Sequence, residues 1–394
     1  MLHEFGGIFD KTGNFRGQDL AQIGFDRSAF NPHITTNMVQ GLLMAGIFLF
    51  VQSGCNTSND NKNIEIYSVN PSASEDVDKV LKYLYSLQGK SENKIISGQN
   101  CCHGNEITRC YGAYVQKLYD ETGSWPGMIG VDYEYTNRFT VEQLSECNGF
   151  LIDYWKKGGL ITINWAPHNP WTDNGTRDLE EVRLEELYDP DSPVYAKWHA
   201  EWDRIAIGLN ELQKEGVVVF WRPMQEMNGG WFWWGWKSSP DNPEHFKKVY
   251  QDMFNYFTQE KKLNNLIWVY SVAANCGSDY SKSPEFHYPG DPYVDIVGIN
   301  VYESEGYHIC DYDALKALGK PIALTECGPD HSKMDGTFDN TLMLKAIKGH
   351  APDILYWTTW HDWPDHYVSM VSNRNAKELL EDPWVITRDE INWK

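Results

Sequence analysis

The sequence predicts a (β/α)8 barrel on two observations: eight short runs rich in β-branched and aromatic residues, and longer amphipathic stretches between them. The runs are Lys94 to Ser97, Gly127 to Asp132, Gly159 to Trp165, Val217 to Arg222, Asn265 to Ser271, Asp295 to Val301, Pro321 to Glu326 and Asp353 to Trp360. Helix-like periodicity falls between them, over Ser74 to Leu87, Val141 to Lys157, Tyr195 to Lys214, Pro243 to Lys261 and Asn340 to Gly349. Thr140 followed three residues later by Gln143 has the form of a capping box. Eight strands in strict alternation with helices is the count for a closed barrel, whose reactive groups sit on loops after the strand C-termini. A doubly wound sheet also alternates in this way, but the Gly-x-Gly-x-x-Gly fingerprint and the phosphate-binding Gly-rich loop are both absent.

The 394 residues leave room for one barrel of about 250 residues or more and a tail. No internal repeat and no shift of composition marks a second folded domain. Residues 1–54 are expected to be an upstream extension and a signal peptide, 55–73 a tether, and 74–394 a single catalytic domain. Gly41 to Val51 is apolar. It falls short of the ~20 residues that span a bilayer but suits a signal-peptide core. It runs into Gln52-Ser53-Gly54-Cys55, which resembles a bacterial lipobox with Cys55 as the lipidated residue. Gln52 stands where an aliphatic residue is usual, and no Lys or Arg lies between Arg27 and Lys62. Translation from Met38 would account for the residues upstream. The expected location is outside the cytoplasm, anchored to a membrane through Cys55 or otherwise secreted. The polar tract Asn56 to Asn63 reads as a solvated linker.

A formal net charge of −21 argues against nucleic acid or an anionic membrane surface as the main partner, since both would repel the chain. A neutral polymer is not repelled, and 17 Trp supply flat rings of the kind that stack on sugars, although most aromatics pack in cores. Eight cysteines fit neither a small disulfide scaffold nor a zinc pattern. Export would allow one or two bridges, with Cys101 to Cys110 a candidate segment; buried thiols are the alternative.

The sharpest segment is Phe220-Trp221-Arg222-Pro223-Met224-Gln225-Glu226-Met227-Asn228-Gly229-Gly230-Trp231-Phe232-Trp233-Trp234-Gly235. It places a carboxylate just past the fourth run and then a dense aromatic surface, a setting in which a carboxyl group tends to keep its proton, as a general acid must. The competing interpretation is a glutamate paired with Arg222 beside a Trp-rich core. Ile322-Ala323-Leu324-Thr325-Glu326-Cys327-Gly328 ends the seventh run with a second glutamate. Glutamates after strands four and seven can face each other across a barrel mouth. Retaining glycosidases use such a pair about 5–5.5 Å apart, and inverting enzymes a wider one.

Arg222-Pro223-x-x-Glu226-x-Asn228-Gly229-x-Trp231-Phe232-Trp233-Trp234-Gly235, with Thr325-Glu326-Cys327-Gly328, resembles glycoside hydrolase family 26, whose members are mostly endo-β-1,4-mannanases. The similarity runs from Ile95-Ile96-Ser97-Gly98-Gln99 to Trp360-His361-Asp362. It implies a (β/α)8 barrel and a retaining endo-acting enzyme on β-mannan, with Glu226 as acid/base and Glu326 as nucleophile. It further implies substrate contacts from His168, Arg222, Gln225, Trp231, Tyr302 and Trp360. Of these, Tyr302 would hold the nucleophile ionised and Trp360 would lie under the sugar ring. Trp165, Trp171 and Trp363 would either line outer subsites or pack in the core. Gln225 stands where the family usually has His, and Asn300 where Asp is common; the family also contains β-1,3-xylanases and mixed-linkage glucanases. Neither a cofactor nor a metal is expected, since there is no His-Glu-x-x-His and no paired Cys spacing, and His361, Asp362 and His366 are only loosely near one another. The expected partner is β-mannan, bound by a monomer.

Overall fold

The computed structural model describes residues 66–89, 93–135, 137–304 and 306–394. Ten strands form in chain order: β1 (Ile95–Ile96), β2 (Gly98–His103), β3 (Met128–Asp132), β4 (Leu160–Trp165), β5 (Val219–Pro223), β6 (Leu266–Ala273), β7 (Ile296–Tyr302), β8 (Ile322–Gly328), β9 (Ile354–Thr359) and β10 (Val385–Ile386). Strands β2 to β9 pair in sequence and in parallel, and β9 returns to β2 through Gln99 and Thr359. The eight close a barrel. Residues of β3, β4, β6 and β8 are buried throughout and mostly apolar, as in strands covered on both faces.

The first barrel strand is not the first run of the sequence. Ile95 and Ile96 belong to β1, which pairs with β10 and touches β9 outside the ring. The ring strand is the polar Gly-Gln-Asn-Cys-Cys-His that follows. Its amides are buried and satisfied: Gln99 Nε2 donates to the Thr359 and Trp360 carbonyls, and Gln99 Oε1 accepts from Met370 N. Hydrogen bonding across the closing seam replaces the hydrophobic pattern on which a sequence reading depends.

The helices Glu75–Ser86, Val141–Lys156, Pro193–Lys214, Glu244–Asn255 and Thr341–His350 fall where the periodicity places them. Thr140 Oγ1 accepts from Gln143 N, and Gln143 Oε1 accepts from Thr140 N, completing the capping box. The alternation is not strict: between β6 and β7 the described residues form no α-helix, only the short turn Asp291–Tyr293. Eight of the 17 Trp are fully buried, Trp165, Trp198, Trp202, Trp221, Trp233, Trp234, Trp268 and Trp357, so much of the aromatic content is packing.

The expected tether boundary moves, and of the two readings open for Cys101 to Cys110 the structure takes the buried thiols. Within the stretch expected to be a tether, Ser68 Oγ and Val69 N donate to Asp295 at the N-terminal end of β7, so the folded body reaches back beyond residue 74. Cys55 and the apolar run before it lie outside the described residues. Cys101, Cys102 and Cys110 are buried thiols; the bridge joins Cys276 to Cys310 and ties the loop after β6 to the loop after β7.

Candidate active site

A cavity of about 740 Å³ opens at the C-terminal end of the barrel, within the usual size of a ligand site. Gln225, Glu226, Tyr302, Glu326 and Trp360 form its floor, and loops after β2, β3, β4, β5, β8 and β9 supply the walls. Both glutamates the sequence singles out face this space.

Glu326 sits inside β8 and is buried. Its Oε1 accepts from Arg222 Nη1, and its Oε2 accepts from the Tyr302 hydroxyl at 3.1 Å. Burial pushes the Glu326 carboxyl up to about 7; Arg222 pulls it back down, and the nearby Glu226 raises it further. Tyr302 is half-buried beside both carboxylates, and its pKa stands well above that of a free tyrosine, so it remains a protonated donor. Arg222 is held in turn with its guanidinium 5.7 Å from the centre of the Trp360 ring.

Glu226 is placed by the backbone. Met224 (φ 50°) and Glu226 (φ 58°) both occupy the left-handed region, uncommon for residues with a side chain and costing on the order of 1–3 kcal/mol each. Neighbouring strands hold the turn: Met224 N donates to Trp165 O, and Glu226 N donates to Ser271 O, both at 2.8 Å. The carboxylate accepts from neutral groups, Trp231 Nε1 at 2.8 Å and Asn300 Nδ2 at 3.0 Å. Trp231 reaches it because Gly229 leaves room; a Cβ there would lie 2.5 Å from the indole ring.

These features sit in a chain whose residues 69–390 match glycosyl hydrolase family 26. The chain belongs to that family. It is 34% identical over 344 residues to the mannan endo-1,4-beta-mannosidase of Bacillus subtilis strain 168, covering 84% of this chain and 91% of that protein. It is 35% identical over 337 residues to mannan endo-1,4-beta-mannosidase A and B of Caldalkalibacillus mannanilyticus, 82% of this chain and 63% of that protein, so it spans less than two thirds of the latter. The solved structure of Bacillus subtilis mannanase man26 superposes with a TM-score of 0.73 at 33% identity, over 83% of this chain and 96% of that one.

In this family 26 glycosyl hydrolase, the cavity brings together six of the residues expected there, Glu226, Glu326, Gln225, Trp231, Tyr302 and Trp360, and also Trp363. Arg222 is not in the cavity lining; it is buried and paired with Glu326. His168 is not in the cavity lining; it is half-buried, and its Nε2 stands 3.9 Å from Oε1 of the buried Glu134. Trp165 is core, stacked on Trp198 and Trp221 and donating to Glu134. Trp171 donates to Glu186 away from the cavity. The two departures from the family pattern have different consequences. Asn300 uses its amide as a donor to Glu226, which an Asp could not do, while its Oδ1 accepts from the Ser271 and Thr325 hydroxyls. Gln225 faces the cavity with a buried Oε1 that has no partner among the described residues.

Sequence reasoning missed His103, Tyr135, Arg177, Asp330, His331, Met334 and Pro364, all of which line the cavity. No periodicity marks them, since each stands on a loop or at a strand end. The one available signal was position just after a strand. His361 and Asp362 have structural duties: His361 Nδ1 meets Asn100 Oδ1, and Asp362 accepts from Val368 N, Ser369 N and the Ser372 hydroxyl.

Proposed function

We propose that this enzyme is a retaining endo-β-1,4-mannanase in which Glu226 is the acid/base and Glu326 the nucleophile. The observation that carries the roles is the contrast between the two carboxylates: Glu326 is gripped by a cation and a tyrosine hydroxyl, and Glu226 by two neutral donors. A nucleophile gains from a nearby positive charge, which favours its ionised form, whereas an acid/base must take up and release a proton in each cycle. The names of the curated relatives support β-mannan as the polymer cleaved.

In the first step Glu226 protonates the glycosidic oxygen as Glu326 attacks the anomeric carbon, giving a covalent glycosyl-enzyme and a free leaving chain. Water then attacks the same carbon, Glu226 accepts its proton, and the product leaves with retained configuration. Tyr302 and Arg222 orient Glu326 for attack, Trp231 and Asn300 orient Glu226, and Trp360 offers an apolar face to the sugar ring. Gln225 can donate or accept at the sugar hydroxyls from its place beside Glu226.

The proposal extends to location: export, with a lipid on Cys55. A polysaccharide substrate is met outside the cell, and the Cys276–Cys310 bridge suits an oxidising compartment. Loss of metabolic lipid labelling in Cys55→Ala would support the anchor, and equal labelling would remove it.

The deciding experiment is product analysis on glucomannan, galactomannan, β-1,3-xylan and mixed-linkage glucan, with the anomeric form of the first products followed by NMR. Manno-oligosaccharides released first as the β-anomer support the reading. Cleavage of another glycan alone would overturn the substrate, and initial α-products would overturn the mechanism.

A further inference from the structure

One wall of the cavity is built from four residues on four successive loops, and nothing in the catalytic mechanism uses them. His103 ends β2, and its ring stacks on Tyr135 at 5.0 Å and 4°. Arg177 Nη2 donates to the Tyr135 hydroxyl at 3.2 Å, and its guanidinium lies 5.0 Å from the centre of the Phe232 ring. Phe232 packs edge-on against Tyr135 and also beside Trp231, the residue that holds Glu226. A continuous set of ring contacts therefore leads from the acid/base to this wall.

His103 is fixed with unusual care for a residue at a cavity edge. Its Nδ1 lies 3.0 Å from Oδ2 of Asp132, which is fully buried. His361 abuts its edge at 5.1 Å and is itself held by Asn100. With Nδ1 donating to Asp132, the neutral ring presents an accepting lone pair at Nε2. His103 lines the cavity and its side chain is 25% exposed, which leaves the ring accessible to a ligand. Arg177 supplies the complementary chemistry: a planar set of N–H donors on an exposed side chain. The long loop after β4 delivers it, braced where Asn169 Oδ1 accepts from Trp171 N and Thr172 N and where Asn169 Nδ2 donates to the Asp178 and Glu180 carbonyls. An acceptor and a fork of donors beside two aromatic faces match a pyranose ring, with hydroxyls at its rim and C–H groups on its faces.

We propose that His103, positioned by Asp132, and Arg177 form a sugar-binding subsite that fixes where along the chain the substrate is cut. The inference rests on the glycan-cleaving assignment of Glu226 and Glu326. It predicts that the two residues act on register: a chain that places a sugar on this wall is cleaved at one bond in preference to its neighbours.

The test is bond-cleavage frequency on mannopentaose and mannohexaose, end-labelled in ¹⁸O-water, for the wild type, His103→Ala and Arg177→Ala, together with kcat/KM for each. Because Arg177 is exposed, its replacement should leave the fold intact, which a thermal melt checks. Each substitution is expected to lower kcat/KM by about tenfold on the longer oligosaccharides and to shift cleavage toward registers that leave the wall empty. A uniform fall with the wild-type cleavage pattern, or no change, would overturn the subsite. If the wild type cleaves a different oligosaccharide series, the substrate assignment falls and the same comparison on that series decides the subsite. If it cleaves none, both fall.

Discussion

Glu226 and Glu326 stand at corresponding places, each just at or past the C-terminal end of a barrel strand, yet the protein treats them in opposite ways. Glu326 lies within β8, buried, and is approached by Arg222 and Tyr302. Glu226 follows β5 on a left-handed turn, half-buried, and is approached by an indole and an amide. Two identical side chains meet different electrostatics because one is matched to a buried cation and the other is not. The proposed division of labour between them rests on the electrostatics of their neighbours.

The largest expected effect separates the two glutamates directly. Glu326→Ala should abolish turnover, on the order of 10⁴-fold or more, while oligosaccharide binding measured by calorimetry persists. Glu226→Ala should be as damaging on mannan but should spare the first step on aryl glycosides whose leaving group needs no proton. Equal loss on every substrate would erase the proposed distinction.

A smaller effect tests the cation. The carboxyl of Glu326 stands near 7, above its ordinary value, and attack needs its ionised form. The pH profile of kcat/KM should therefore rise as pH increases through about 7. Arg222→Met removes the charge that pulls this group down, so the rise should move to higher pH, with a loss on the order of 10- to 100-fold at about pH 6. Breaking the buried pair should also cost about 3–5 kcal/mol of stability, so the profile is best measured well below the melting temperature. An unmoved profile would show that Arg222 does not set the ionisation of Glu326.

Asn300→Asp probes the neutral side. It cannot donate to Glu226 and sets a second carboxylate against it, so a fall in kcat of roughly tenfold is expected. Wild-type kcat in this variant would mean that Trp231 alone suffices to hold Glu226. The smallest catalytic effect should come from Cys276→Ser, which opens the bridge between the loops after β6 and β7. Its loss should cost about 2–4 kcal/mol in chemical denaturation and leave kcat within about twofold. A large fall in kcat would make the bridge part of the support for Glu226 and Asn300.

The barrel and its carboxylate pair were legible in the sequence for definite reasons. Strands covered on both faces are mostly apolar, so β3 to β9 announce themselves, and a barrel displays its chemistry at strand ends, which points to Glu226 and Glu326. Strand β2 was not legible in the same way. Its buried Gln99 and Asn100 are stabilised by partners some 260 residues away across the barrel seam. The missing helix after β6 and the pairing of Cys276 with Cys310 escaped for a related reason, because spacing along the chain does not encode which loops meet.

The sequence by itself determined the fold class and the two glutamates, because periodicity and strand-end placement are properties of the chain taken locally, and the motifs around those glutamates carried the resemblance to the family. Only the tertiary structure decided which side chains surround them. It packed Trp165 into the core, set His168 beside Glu134 outside the cavity lining, brought His103, Tyr135 and Arg177 forward, and gave Arg222 to Glu326 and Asn300 to Glu226. Those neighbours come from strands and loops far apart in the chain, and closure of the barrel is what sets them within hydrogen-bonding distance.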